Sequence, residues 1–484
     1  GSYKITTPLF DEINISFIIN RNNKKIKEYI KLENLPDLFK KALNSIKNLN
    51  YIQSKIYPMI INNNDNILLC APTGSGKTLV AFLCALKVLL LIRNLAFRKI
   101  NMFSPSIFYL APMKALIKEI TKKMGYIFQN FEIDIIDVTT DKKITKHDFK
   151  NKFAIITTPE KLDIISRKPY NNNIIKYLKL IIFDEIHLLN SDRGASVESI
   201  IARMCYFCDI YKKKIRLLGL SATFPNYDDL AELFHIKKHQ GLFYFDENFR
   251  SCSINYHLLG VKHSKFMDIN EIVYEILKEN LISFLDSDNQ VMIFVHSRKD
   301  TLLTGNLLKK AVNINKNEDT LLIKNRFDQI INENENLIDV NSLKDLLKKK
   351  IGIHNAGINK KIREMIEDMF KEKMIKVLVS TATLAWGVNL PSRVVIIKGT
   401  KIYNPKVNSW VEISVLDLIQ MFGRAGRPQY DKNGVGILIT FIENIKYYAS
   451  LFNNNIKIES FFHKYIVSLL NAEIANGIVC NLSM

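Results

Sequence analysis

The sequence lacks an apolar run long enough to cross a membrane. The longest one, LVAFLCALKVLLLI, is interrupted by Lys87 and falls short of the ~20 residues that a bilayer span needs. No secretory signal peptide is apparent, and the opening Gly1 and Ser2 resemble the scar left by tag removal, so we expect an excised fragment. These absences predict a protein without a membrane partner.

Cysteine is scarce and scattered. The six cysteines lie among apolar residues, which favours a reducing intracellular compartment and predicts no disulfide partners. Cys205 and Cys208 form one CxxC pair, but no second pair or histidine-rich segment lies nearby. Because structural zinc takes four ligands, we interpret this pair as two buried helix thiols.

Length and composition indicate a globular chain of several domains. At 484 residues, with 47% hydrophobic and 24% charged residues, it is too long for one core and should divide into two or three domains. The formal charge of +20 suits a polyanionic partner such as nucleic acid. This support is mild, because runs such as NNKKIK can also come from an AT-rich genome.

Short β-type runs alternate with longer helical ones in two series. The first contains NILLC, IFYLAP, FAIITT, LIIFDE and RLLGLSAT, and the second contains VMIFVHS, KVLVST, VVIIKGT and GILIT. Such alternation predicts an α/β fold of two domains, each a parallel sheet covered on both faces, with a seam near residues 245–265. We interpret residues 312–350 as surface helices, and the helical pattern from about residue 455 as the start of a third domain.

A phosphate-binding loop follows the first strand. The run NILLC continues into APTGSGKT and then into a helical pattern, so glycines, backbone amides and a helix N-terminus can surround an anion. Lys77 is predicted to reach the β and γ phosphates and Thr78 to ligate Mg²⁺. The loop departs from the usual pattern at its first position. The predicted nucleotide ligands are Ala71, Pro72, Thr73, Gly74, Ser75, Gly76, Lys77 and Thr78.

The run KLIIFDEIHLLN carries two acids at the end of an apolar strand. Buried carboxylates are costly unless a cation or dense hydrogen bonding compensates them, and by themselves Asp184 and Glu185 could equally mark a strand entering a polar loop. Beside a phosphate loop, Asp184 is predicted to hold Mg²⁺, and Glu185 to position and deprotonate the attacking water.

With LSATFPN, FVHSRKDT, LVSTATLAWGVNLP and QMFGRAGRPQYD following in this order, the chain resembles superfamily 2 helicases of the DExH class from about Leu49 to its C-terminus. The resemblance implies two RecA-like domains, ATP and Mg²⁺ as cofactors, RNA as partner and 3′ to 5′ polarity. It also implies four segments: an N-terminal arm at 1–30, RecA-like domains at 31–245 and 246–450, and the beginning of a truncated winged-helix domain at 451–484.

The resemblance also assigns roles around the nucleotide. Arg424 and Arg427 match arginine fingers, with Gln420 near the nucleotide, although an arginine-rich glycine loop alone is also typical of a solvated turn. Gln53 in LNYIQSKIY matches the adenine-sensing glutamine. A coupling role falls to three residues, with a buried, satisfied histidine as the alternative for the first: His187, Ser221 and Thr223.

Further motifs resemble those that grip a nucleic-acid backbone. Amides and hydroxyls suit phosphate oxygens without reading sequence. Between the last two motifs, KGTKIYNPKVNSWVEISVLD predicts a hairpin on which Tyr403 or Trp410 stacks on a splayed base pair, although a plain surface hairpin is the alternative. The predicted grip residues are Pro112, Lys114, Thr158, Pro159, Glu160, Ser297, Arg298, Ser380, Thr381 and Thr383.

Within the family, the wording is similar to the spliceosomal branch of the U5 particle, whose active cassette unwinds U4/U6 small nuclear RNAs. The activating signal cointegrator branch shares nearly all of it, but YNPKVNSW favours the former. We therefore expect U5 particle proteins as partners and a nuclear location, with a cytoplasmic one open. A scaffold that does not hydrolyse ATP also remains open, but Lys77, Asp184, Glu185, Arg424 and Arg427 favour a working ATPase.

Overall fold

A computed structural model describes most of the chain. The described residues are 3–16, 29–96, 105–138, 152–167, 177–189, 193–250, 252–263, 268–286, 289–311, 323, 325–329, 340–387, 390–404, 408–427, 430–431, 433–453, 457–475, 477 and 479. Two compact units emerge: a P-loop unit of Asn20–Arg250 with Asn455–Met484, and a GRAGR unit of Gly1–Ile19 with Ser251–Asn454. Across these ranges, the helices do not combine the length and apolar character that a membrane crossing demands.

The chain opens with a hairpin of β1 (Tyr3–Thr6) and β2 (Phe10–Ser16). It belongs to the GRAGR unit, where β2 pairs antiparallel with a strand far along the chain. Over residues 3–16, the expected N-terminal arm is therefore part of a sheet.

The P-loop unit contains a seven-stranded parallel sheet in the order β5-β6-β4-β7-β8-β3-β9. Its strands are β3 (Ile67–Cys70), β4 (Ile107–Leu110), β5 (Asp134–Val138), β6 (Lys152–Thr157), β7 (Leu180–Phe183), β8 (Arg216–Ser221) and β9 (Leu242–Tyr244). The helices are α1 (Asp37–Ala42), α2 (Tyr51–Asn62), α3 (Lys77–Ala96), α4 (Lys114–Phe128), α5 (Pro159–Ser166), α6 (Gly194–Ile210), α7 (Tyr227–Leu233) and α8 (Lys238–Gly241).

The continuous apolar strands of this sheet are explained by burial on both faces. Along β3, Ile67 and Leu69 belong to a core shared with α2, α3 and α4, whereas Leu68 and Cys70 belong to the core beneath α6. Successive side chains point to opposite faces, so a strand covered by helices on both sides must be apolar at every position. The prediction of a doubly covered parallel sheet is confirmed.

The GRAGR unit contains an eight-stranded sheet in the order β1-β2-β10-β17-β14-β11-β13-β12. From β10 onward its pairings are parallel. Its further strands are β10 (Ser253–Val261), β11 (Val291–Val295), β12 (Ile351–His354), β13 (Val377–Thr381), β14 (Val394–Lys398) and β17 (Asn433–Phe441), and β15 (Lys401–Asn404) pairs separately with β16 (Ser409–Glu412). The helices are α9 (Ile269–Asp286), α10 (Arg298–Ala311), α11 (Val340–Lys348), α12 (Lys360–Lys371), α13 (Thr383–Gly387), α14 (Val415–Phe422) and α15 (Ile445–Asn453).

The stretch 312–350 differs from the expectation of surface helices. Among its described residues, apolar side chains on and before α11 are buried in the core of the GRAGR unit, because the helix packs against β12. That expectation is wrong for Ile323, Phe327, Leu343, Leu346 and Leu347.

The C-terminal segment 457–475 belongs to the P-loop unit and carries α16 (Ile466–Ala475). The side-chain amide of Asn226 donates to the Ile458 carbonyl and accepts from its amide, both at 2.9 Å. On α6, the buried guanidinium of Arg203 pairs with Asp163 at 3.1 Å and with Glu473 of α16. The winged-helix interpretation of 451–484 stays a prediction.

Candidate nucleotide site and nucleic-acid surface

The phosphate loop connects the end of β3 with the start of α3. Gly74 and Gly76 have φ angles of 76° and 90°, the left-handed region that glycine enters without steric cost. A Cβ added to Gly76 would lie 2.6 Å from Nε2 of Gln53, so this position also requires glycine for close packing. The base of the loop is fixed where the Ala71 amide donates to the Ser221 carbonyl at 3.0 Å.

Lys77 is buried at the centre of this loop. Its Nζ donates to the carbonyls of Ala71 at 2.7 Å and Pro72 at 3.0 Å. Burial lowers its pKa, and the attraction of Glu185 and Asp184 opposes that change, which places the acids of β7 within electrostatic reach.

Two loop hydroxyls fit a phosphate ligand. The Oγ1 of Thr73 and the Oγ of Ser75 are buried and have no hydrogen-bond partner among the described residues. Buried polar atoms are rarely left unsatisfied, and phosphate oxygens would accept hydrogen bonds from both. With Lys77 and the glycines, they make the donor set suitable for a nucleotide triphosphate.

Gln53 holds the loop from the other side. Its Oε1 accepts from the Asn50 amide at 2.8 Å, and its own amide donates to Oδ1 of Asn50 at 2.9 Å, which forms a capping box on α2. Its Nε2 donates to the Gly76 carbonyl at 3.1 Å, and Asn50 donates to the Ser75 carbonyl at 2.8 Å. The adenine contact of Gln53 stays a prediction, since each of these atoms retains one further hydrogen-bonding position.

Asp184 stands at the carboxyl end of β7 in a dense hydrogen-bond environment. Its Oδ2 accepts from the Tyr109 hydroxyl at 2.7 Å and its Oδ1 from the Glu185 amide at 3.0 Å. Burial and the charge of Glu185 nevertheless raise the pKa of Asp184 to about 7. A divalent cation would relieve this cost, and the hard oxygens of Asp184 and Thr78 are the type that Mg²⁺ prefers.

Glu185 has a strained backbone. Its φ of 53° lies in the left-handed region, which is unfavourable for a residue with a long side chain. Its Oε2 is buried without a hydrogen bond among the described residues, so one carboxylate oxygen remains for a water molecule.

His187 lies between this acid and the start of the loop after β8. It is buried, its Nδ1 accepts from the Ala222 amide at 3.2 Å, and its Nε2 lies 3.5 Å from Oε2 of Glu185. Burial lowers its pKa, so the ring is neutral at pH 7, with the proton on Nε2 because Nδ1 is an acceptor. Ser221 lies 3.5 Å from the ring, whereas the Thr223 hydroxyl donates to Glu247 at 3.4 Å.

The predicted grip residues of the P-loop unit share one sheet edge with the acids. Thr158 caps α5, its Oγ1 accepting from the Lys161 amide at 3.4 Å, and Pro159 is the first helical residue. Lys114 opens α4 after the neighbouring β4. The side chains around one cleft include Pro112, Pro159, Asp184, Glu185 and Arg193. Arg193 donates to the Pro112 carbonyl, and its Nε lies 3.5 Å from Glu160.

In the GRAGR unit, both predicted arginine fingers have partners. The Nε of Arg424 donates to the Ala385 carbonyl at 3.1 Å, and Arg427 makes two 2.9 Å bonds to Asp431. Between them Gly426 has a φ of 85°, and a Cβ there would meet Cys252. Gln420 is buried on α14. Their roles at the nucleotide stay predictions.

The grip residues of the GRAGR unit lie on neighbouring strands. Ser297 follows β11 and accepts from the Asp300 amide at 3.0 Å, beside Arg298 at the start of α10. On β13, Thr381 contacts Thr383 at 3.0 Å between hydroxyls, and both are accessible. Ser380 is fully buried, with its hydroxyl donating to the Thr381 carbonyl, so it is not placed to touch a ligand.

The predicted hairpin is confirmed by the antiparallel pairing of β15 with β16. Tyr403 lies directly opposite Trp410, with ring centroids 5.8 Å apart in an edge-on arrangement. The two rings are 49% and 67% exposed, so the pair presents aromatic surface to solvent.

Several site residues escaped the sequence analysis. Tyr109, Asn50 and Arg193 contact the predicted site, but only the fold brings them there. The CxxC cysteines lie on α6, half-buried, and burial raises the pKa of both thiols.

Family comparisons agree with this site. The profile described as DEAD/DEAH box helicase matches residues 50–230, and that described as helicase conserved C-terminal domain matches residues 303–429. A solved structure, the DUF1998 helicase MrfA bound to DNA, superimposes with a TM-score of 0.66 at 19% identity, covering 96% of this chain and 56% of that one. This likeness bears on the fold alone.

Longer relatives match nearly the whole chain. The human U5 small nuclear ribonucleoprotein 200 kDa helicase is 39% identical over 99% of this chain and 22% of its own length. The *Arabidopsis thaliana* DExH-box ATP-dependent RNA helicase DExH12 is 38% identical with the same coverage. The *Dictyostelium discoideum* activating signal cointegrator 1 complex subunit 3-like protein is 38% identical over 97% of this chain and 21% of its own length. The chain thus spans about a fifth of these relatives.

The two parallel α/β units and the phosphate loop facing DEIH define a superfamily 2 helicase motor. The chain belongs to the DExH-box helicases, near the cassette of the U5 200 kDa type, and carries the motor domains of an ATP-dependent RNA helicase.

Proposed function

We propose that this chain binds ATP with Mg²⁺, hydrolyses it, and uses the cycle to move 3′ to 5′ along RNA and unwind duplexes. The observation that carries the proposal is the convergence of Lys77, Asp184 and Glu185 at one sheet edge. Such a set neutralises charge on a transferred phosphoryl group and orients water.

Within this proposal each residue has a defined task. Lys77 binds the terminal phosphates, Thr78 and Asp184 hold Mg²⁺, and Glu185 accepts the proton of the attacking water. Mg²⁺ would supply charge neutralisation between the phosphates. Arg424, Arg427 and Gln420 act on the same phosphates during turnover, and His187 with Ser221 and Thr223 reports their state to the RNA grip.

We further propose that the RNA backbone is gripped by Pro112, Lys114, Thr158, Pro159, Ser297, Arg298, Thr381 and Thr383. Amides and hydroxyls at strand ends suit phosphate oxygens of any sequence. Ser380 supports this surface from within β13.

The physiological role that we propose is unwinding of U4/U6 small nuclear RNA in the nucleus, with U5 particle proteins as partners. Its support is the 39% identity with the human U5 helicase. A cointegrator-type role in nucleic-acid repair or ribosome rescue is the second candidate, supported by the 38% identity with the *Dictyostelium* protein.

Two experiments test these proposals. Unwinding of an RNA duplex with a 3′ overhang should depend on ATP, exceed that of a 5′ overhang and vanish in Lys77→Ala, which should also bind fluorescent ATP more weakly. ATP binding without any hydrolysis would favour the scaffold. Pull-down of the full-length protein should recover U5 particle proteins, and recovery of ribosomal partners would favour the second candidate.

A further inference from the structure

A cluster of three aromatic rings adjoins the phosphate loop. Tyr51 stacks on Phe249 with centroids 5.5 Å apart and an interplanar angle of 12°. Phe245 meets both rings edge-on, at 6.3 Å from Tyr51 and 5.1 Å from Phe249. The rings come from two segments about 200 residues apart in sequence, so the fold has assembled this cluster.

The cluster is attached to both ends of the loop. At one end, β9 pairs with β3 and the Phe245 amide donates to the Cys70 carbonyl at 2.9 Å, immediately before the loop begins. At the other end, Tyr51 opens α2, whose Asn50 and Gln53 bind the carbonyls of Ser75 and Gly76. The stacked pair of Tyr51 and Phe249 therefore joins the two flanks of the loop.

Phe249 is the accessible member of the cluster. It is 36% exposed, whereas Phe245 is 7% exposed. The short helical turn Glu247–Phe249 that carries it is fixed by the side chain of Asp246, which accepts from the Asn248 amide at 3.0 Å. An aromatic ring held at the surface by a capped turn and a stacked neighbour loses little entropy when a flat ligand covers it.

The chemistry of a nucleotide supplies that ligand. The loop offers amides, hydroxyls and a lysine to the phosphates but no surface for the base. Resting on the nucleotide site proposed above, we propose that Phe249, backed by Tyr51, is the stacking surface for the nucleotide base and gives the site its preference for purines. A purine covers more of a phenyl ring than a pyrimidine, and stacking on an aromatic residue tolerates different bases of one size. Discrimination of adenine from guanine then depends on Gln53.

The experiment compares ligands with and without a base. Binding of ATP, GTP, CTP and inorganic tripolyphosphate, each with Mg²⁺, is measured by calorimetry on the wild-type chain, on Phe249→Ala and on Phe249→Trp. We expect Phe249→Ala to weaken ATP and GTP about tenfold, weaken CTP less and leave tripolyphosphate unchanged. Phe249→Trp should restore ATP binding. Tyr126→Ala, which removes another exposed ring, is the matched control.

The outcomes separate this inference from the proposed function. Equal ATP affinity in wild type and Phe249→Ala overturns the stacking role and leaves the nucleotide site standing. Equal weakening of ATP and tripolyphosphate also overturns it, because the ring would then only support the loop. A wild-type chain that binds neither ATP nor tripolyphosphate overturns the nucleotide site itself.

Discussion

The backbone amide of Ala222 donates to Nδ1 of His187 at 3.2 Å. This contact fixes the ring proton on Nε2, which faces Glu185 at 3.5 Å. A neutral imidazole thus connects the acid after β7 with the loop after β8. A change in hydrogen bonding at Glu185 can reach the Ser221-Ala222-Thr223 loop through one side chain.

Replacement of His187 tests this connection. His187→Ala should lower the ratio of RNA-stimulated to RNA-free ATP turnover about tenfold, because one buried hydrogen-bond path is lost. His187→Gln, whose amide can both accept and donate, should retain part of the ratio. Since burial lowers the pKa of His187 below 6.5, the ratio should be flat from pH 7 to 8. An unchanged ratio in His187→Ala would remove the histidine from the coupling path.

Asp184 should destabilise the ligand-free chain at high pH. Its pKa is about 7 in the folded chain against 3.8 for an ordinary aspartate, so the folded state holds an extra proton between these values. The free energy of unfolding therefore falls as pH rises from about 4 to about 7. Asp184→Asn removes this titration and should raise the free energy of unfolding by about 1–3 kcal/mol at pH 8, with a smaller gain at pH 5.

Urea unfolding at the two pH values, without and with Mg²⁺ and a non-hydrolysable ATP analogue, measures this effect. The ligands should stabilise the wild type more than Asp184→Asn. A gain that does not depend on pH would contradict the assignment of the cost to the ionised carboxylate.

The hairpin aromatics should matter for unwinding more than for ATP turnover. Because stacking on a base contributes about 1–3 kcal/mol, we expect Trp410→Ala to slow duplex unwinding about tenfold, with RNA-stimulated ATP turnover kept within about twofold. Trp410→Phe should retain most of the rate. Tyr447→Ala removes an exposed ring elsewhere in the same unit and serves as control. Equal loss of both activities would indicate a structural role instead.

Loss of Glu473 should release the C-terminal segment. The Arg203 side chain is only 1% exposed and would keep Asp163 but lose its partner on α16. We expect Glu473→Ala to lower the free energy of unfolding by about 1–3 kcal/mol and to speed limited proteolysis between residues 457 and 475. Glu459→Ala, exposed on the same segment, should change neither, and an unaltered cleavage rate in Glu473→Ala would refute the anchoring role.

The sequence predicts this fold best where one segment carries the signal alone. The runs of β3, β7 and β14 are apolar at every position, and APTGSGKT combines strand, glycines and helix in one stretch. The strand β2 reads FDEINIS and carries no such signal. It becomes a strand because it pairs with β10, with Asn14 opposite His257, 243 residues away.

The candidate site follows the same division. Lys77, Asp184 and His187 can be predicted because each stands in a local motif. The left-handed backbone of Glu185 cannot, since residue type does not reveal φ for glutamate. The hydrogen bond from Tyr109 to Asp184 and the ring cluster of Tyr51 and Phe249 are equally hidden, because strand order and loop packing create them.

The account depends most directly on Glu185 as the group that activates water. The decisive measurement compares ATP affinity and RNA-stimulated ATP turnover of Glu185→Gln with those of the wild type. A general base contributes about 10²–10⁴ in rate, so we predict at least about a hundredfold loss of turnover with ATP affinity preserved within about threefold. Turnover equal to that of the wild type would contradict the account.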